Sequence, residues 1–71
     1  MDITTYKDIL KRNSLRQLDV AWMCNVHVRS VRRWNLGQHE IPQTAALLLT
    51  AYDEGLITPV WLATNITNPV P

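Results

Sequence analysis

Three arginines, Arg29, Arg32 and Arg33, are the side chains of this 71-residue chain whose type and spacing carry the most chemistry. In a helix they lie opposite Val31 and Trp34, which stand three apart and share one face. A guanidinium stays charged and presents a rigid fork of donors. The fork matches a phosphate, a carboxylate, or the two neighbouring acceptors on the major-groove edge of guanine. Other chemistries fit less well. Cys24, His27 and His39 lack a fourth partner at useful spacing for zinc, and Cys24 is expected on a buried face beside Val20. The chain has no paired carboxylates, no nucleophile with an oriented base and no glycine-rich phosphate loop. No enzyme, metal or cofactor is therefore expected, and the two histidines read as loop and cap residues.

The net charge of +1 conceals a strong asymmetry. Residues 1–33 hold all seven Lys and Arg against Asp2, Asp8 and Asp19, a sum of +4. Residues 34–71 hold only Glu40, Asp53 and Glu54, a sum of −3. A polyanion suits the basic half, and the acidic half is left for something else. The bland alternative is a solvated basic surface, but three arginines on one helical face argue against it.

A chain of this length supports one domain with a narrow stability margin. A hydrophobic fraction of 46% excludes global disorder. Phe is absent, so Trp, Leu and Val must fill the core. No apolar run approaches the roughly 20 residues of a membrane span. MDITTYKD lacks the order of a signal peptide, and a single Cys suits a reducing cytoplasm, where the protein is expected.

Positioning the arginines requires a reversal just before them. Asn25 is the residue for it, since Asn tolerates the left-handed backbone better than most non-glycine residues. The stretch 17–34 thus reads as two short helices around Asn25, with Ala21 where they approach and Val26 plugging the turn. A first helix is expected from about Thr5 to Arg12, capped by Thr5 with Asp8 and burying Tyr6, Ile9 and Leu10. Ser14 with Gln17 suggests a capping box for the second helix, which begins as early as Leu15, ends near Cys24 and buries Val20, Ala21 and Cys24. Trp22, on its outer side, is expected to pack against the first helix or the C-terminal segment. The third helix starts near His27 or Val28, runs to about Asn35 and ends at a left-handed Gly37. Pro42 opens a fourth, apolar nearly all round, to about Glu54, closed by Gly55. Thr58-Pro59 begins a fifth through about Ala63, or else an extended arm.

The joint pattern Gln17, Ala21, Asn25, Val26, Val31, Trp34 and Gly37 resembles the helix-turn-helix of phage repressor and Cro-type regulators, with Asn25 at a turn position usually held by Gly. The string RRWNLGQHEIP, Arg32 to Pro42, is similar to the "RW-x-x-G…IP" segment of small phage and plasmid regulators. The resemblance covers about residues 4 to 55. It implies an all-α, four- to five-helix repressor-like bundle, with residues 1–64 as a DNA-binding domain and 65–71 as a disordered tail. It further implies a Cro-like transcriptional repressor of a phage or mobile element, binding a pseudo-palindromic operator as a homodimer. In such a family Gln17 touches a phosphate, unless its own cap engages it. Val28, Arg29 and Arg33 face the bases: the arginines meet guanine and Val28 a thymine methyl group. Arg32, Ser30 and His27 then reach phosphates, with Asn35, Gln38 and His39 as minor phosphate contacts beyond the helix. Val60, Trp61 and Leu62, apolar and free of charge, either cover the core or pair with a second copy, and pairing is preferred because one small domain reads too little DNA. Two alternatives remain open: a module whose arginine face meets an acidic protein surface, and an excisionase-like architectural DNA-binding protein.

Overall fold

The computed structural model describes residues 1–66, which form five helices and no strand: α1 (Ile3–Arg12), α2 (Gln17–Cys24), α3 (Val28–Asn35), α4 (Gln43–Asp53) and α5 (Pro59–Asn65). The fold is an all-α bundle. None of these helices is long and apolar enough to cross a membrane.

Helix α1 starts two residues earlier than expected because Asp2, not Thr5, caps it. The Asp2 carboxylate accepts the Thr5 amide at 2.7 Å, placing a negative charge at the positive end of the helix dipole. Tyr6, Ile9 and Leu10 are buried, as their spacing requires. Ser14 does not cap α2. It ends α1 in the left-handed conformation (φ 53°), and the Leu15 amide reaches back to the Leu10 carbonyl at 2.8 Å. Arg16 takes the cap position instead. Asp19 accepts the Arg16 amide at 2.8 Å and pairs with its guanidinium at 3.0 Å, satisfying half of a capping box, since a guanidinium has no acceptor for the other half.

Four helices terminate by one device. A left-handed residue, Ser14, Asn25, Gly37 or Gly55, follows the last turn, and the next amide bonds a carbonyl five residues back at 2.8–3.0 Å. This is the Schellman arrangement, which satisfies the carbonyls a helix end leaves open. It reverses the chain sharply each time, so short helices fold back onto a shared core.

Tyr6, Val20, Val31 and Leu49 are the largest fully buried side chains. Met23 joins the core three residues after Val20, whereas Cys24, expected there, is only half-buried. Burial still pushes its thiol up to about 11. Trp22 packs against the core's edge. Helix α4 lies against both α1 and α2 and contributes Ala45 and Leu49 to the shared core. It is not buried all round: Leu47 is 61% exposed. Pro42 precedes α4 as its cap residue rather than opening it, because its extended ψ of 148° is not helical. Helix α5 is capped by Thr58, whose hydroxyl accepts the Trp61 amide at 3.0 Å. It continues past Ala63 to Asn65, and Ile66 packs against the core, so the expected tail boundary shifts towards the C-terminus. The remainder of that tail, 67–71, lies outside the described residues.

Two long-range polar links fix the helices. The Tyr6 hydroxyl donates to Asn35 Oδ1, tying α1 to the end of α3. Burial holds the Tyr6 phenol up at about 12, so it remains a donor. Arg12 grips Asp53 with two bonds, at 2.7 and 3.2 Å, and Asn13 adds a third at 2.9 Å, joining the last turn of α1 to that of α4. These bonds, Arg12's first, hold the Asp53 carboxyl below its ordinary 3.8. A depressed carboxyl contributes stability that is present above its unfolded value and lost as pH falls through the folded one. Asp53→Asn is therefore expected to flatten the acid limb of a stability–pH curve below the ordinary carboxyl value, with Asp8→Asn as the comparison. An unchanged acid limb would show that the link contributes nothing.

Candidate nucleic-acid interface

Helices α2 and α3 pack against each other across a turn of three residues. Asn25 makes the reversal with φ 54° and ψ 48°, and the Val26 amide closes it onto the Ala21 carbonyl at 3.0 Å. Val26 lies against the core, filling the turn from below. Ala21 and Val20 are fully buried, which leaves no room for a larger residue in the first helix without moving it.

Val31 (0% exposed) and Trp34 (4%) hold α3 down by its inner face. At about 100° per residue, Arg29 and Arg33 then point almost directly away from Val31, one turn apart, and Arg32 lies beside them. All three are exposed. Among the described residues, the ion pairs are Arg12–Asp53 and Arg16–Asp19, so none of the three arginines has a carboxylate partner. Those two pairs engage half the chain's six acidic residues together with the cap at Asp2, leaving Asp8, Glu40 and Glu54 without such roles. The arginine face consequently keeps its full positive charge.

The other expected site residues divide. His27 is exposed and caps α3: its Nδ1 accepts the Arg29 amide at 3.0 Å. The sequence anticipates a cap here but not that the ring supplies the acceptor, a role Ser, Thr, Asn and Asp usually fill. Gln17 is half-buried at the first position of α2, with Arg16 and Asp19 supplying the cap contacts, so its amide is not engaged there. Ser30 is half-buried on the flank of α3 opposite Arg32. Val28 is withdrawn from the outer face. It is half-buried against the core, because three residues before Val31 puts it on the inner row, and its assignment to a thymine methyl group falls. Asn35 is half-buried and its carbonyl oxygen accepts the Tyr6 hydroxyl, which leaves its amide nitrogen as the donor a phosphate would need. Gln38 and His39 are exposed but line a shallow groove with Glu40, whose carboxylate disfavours a phosphate there. No group of three His, Cys, Asp or Glu side chains gathers at one point among the described residues.

Comparisons of the chain with protein-family models, with curated proteins and with solved structures returned no match.

Proposed function

We propose that the chain is a sequence-specific regulator of transcription that binds double-stranded DNA, a Cro-like repressor of phage or mobile-element type. The observation that carries this reading is the set of three exposed arginines, without acidic partners, on the outer face of a helix anchored through Val31 and Trp34. Solvated surface arginines usually find a nearby carboxylate at little gain. Here three of the six carboxylates are bound elsewhere, and Asp8, Glu40 and Glu54 pair with none of the three arginines. A helix fits the major groove, where α3 would place Arg29 and Arg33 against base edges, while Arg32 and the exposed end of α3 at His27 meet the phosphate backbone.

A homodimer suits the remaining surface. Val60 and Trp61 of α5 are exposed, and no charged side chain occurs from Gly55 onwards. Two copies of a neutral face meet without like-charge repulsion, which the arginine face of α3 cannot do. Such a dimer would set two α3 helices roughly 34 Å apart, one helical turn of DNA, on a pseudo-palindromic operator. Occupying a promoter would then exclude polymerase.

Selection of bound duplexes from a random pool, followed by titration over a range of salt, tests the reading. Arg32→Ala is expected to weaken all duplexes about equally and to reduce the slope of log affinity against log salt by about one. A pool that returns no preferred sequence, with affinity indifferent to every α3 arginine, overturns the proposal and favours a partner with an acidic protein surface.

A further inference from the structure

We infer that the outer face of α3 is a guanine reader, because its exposed side chains, Arg29, Arg32, Arg33 and His27, present hydrogen-bond donors. This rests on the DNA-binding reading and narrows it to one class of duplex. Arg29, Arg32 and Arg33 only donate. His27 holds the Arg29 amide with Nδ1, so the ring proton sits on Nε2 and points another donor outward. Asn35, the amide that ends the helix, has its acceptor bound to Tyr6. Val28, the one residue suited to a thymine methyl group, is packed against the core. Ser30 alone keeps a hydroxyl, half-buried and on the flank. The exposed amide of Gln38 stands beyond the helix end.

The major-groove edges of the bases discriminate against such a face. Cytosine presents an amino donor there, which a guanidinium cannot accept, and adenine presents an amino donor beside its single N7 acceptor, so neither takes two bonds from a guanidinium. Thymine presents one acceptor beside a methyl group. Guanine presents two adjacent acceptors, O6 and N7, and a guanidinium can engage both. Arg29 and Arg33 are four residues apart, about 6 Å along the helix axis. That distance spans about two base-pair steps of 3.4 Å each. The two arginines can therefore reach separate base pairs, and each half-site contains two guanines, one under each arginine, with no adenine or thymine contact from this helix.

The test uses the full chain and duplexes selected from a random pool. The selected half-site is expected to hold both guanines. Replacing either with 7-deazaguanine, which lacks the N7 acceptor but keeps O6, is expected to lower affinity severalfold, less than the roughly 5- to 150-fold range for loss of the whole two-bond contact. Replacing either with inosine, which keeps O6 and N7 and alters only the minor-groove edge, leaves affinity unchanged. Arg29→Gln, at an exposed position where melting should match the parent, moves the preference at one position from guanine to adenine, since a glutamine amide both donates and accepts. A specific site that holds adenine or thymine under both arginines, or one that tolerates 7-deazaguanine, overturns the guanine inference while leaving specific DNA binding intact. Uniform binding to all duplexes, or none, overturns both.

Discussion

Truncating Trp34 to alanine is expected to lower the melting temperature by well over 8 °C, the largest single-residue loss of stability in the fold. Trp34 is the largest side chain on the inner face of α3 and is 4% exposed. Removing a buried Trp costs about 3–5 kcal/mol, from lost burial and from the cavity left behind. A chain of 71 residues has about 4–11 kcal/mol of total stability, at 0.05–0.15 kcal/mol per residue. The substitution removes between about a quarter and all of that. Neighbouring core positions cannot absorb the loss, because Val31, Val20 and Leu49 are already fully buried and the helices around them are only two or three turns long. Helical circular dichroism followed on heating checks this. A Trp34→Ala chain that melts cooperatively within about 8 °C of the parent has lost no more than about 2 kcal/mol, and Trp34 is then not the anchor of α3. Function follows the same anchor. With the inner face released, Arg29 and Arg33 lose their fixed separation even where some helix persists.

Much of the path to this arrangement was readable from residue types. Val31 and Trp34 at helical spacing, with arginines at the opposing phase, require one buried and one charged face, and both are present. Asn25, Gly37 and Gly55 mark left-handed ends because few residues tolerate that backbone, and each adopts it. Ser14 escaped notice because it is both a good cap and an uncommon left-handed residue. The chain uses the second property, since Leu15 must turn back towards Leu10. Met23 and Cys24 exchange places because an eight-residue helix leaves its inward direction undefined by a residue or so until α4 packs on it. Arg12–Asp53 and Tyr6–Asn35 join residues 41 and 29 positions apart, and no local pattern specifies which helices meet. The site was legible in its charges but not in its acceptors. That His27 Nδ1 and Asn35 Oδ1 are engaged depends on rotamers set by folding, and only their engagement leaves α3 a face of donors.

Val60→Glu is expected to leave the fold intact and to remove most of the affinity for a full operator. Val60 is 75% exposed at the second position of α5, with Leu62 facing the core in its place. A carboxylate there meets the positive end of the helix dipole, so the melting temperature should hold or rise slightly. The cost falls on self-association. In a two-fold interface the same patch faces itself, so each glutamate meets the other or a neutral, apolar surface made of Val60, Trp61 and their neighbours. Losing the dimer turns the second half-site contact from an intramolecular step into a separate binding event, a loss on the order of 10²- to 10⁴-fold in affinity for the two-half-site duplex, while a single half-site binds as before. Sedimentation gives the oligomeric state, and titration of full and half sites gives the affinities. A Val60→Glu chain that remains a dimer places the interface away from α5. A monomeric variant that still binds the full site at parental affinity means that one copy reads the operator alone, and the charge-free end of the chain then needs a different partner.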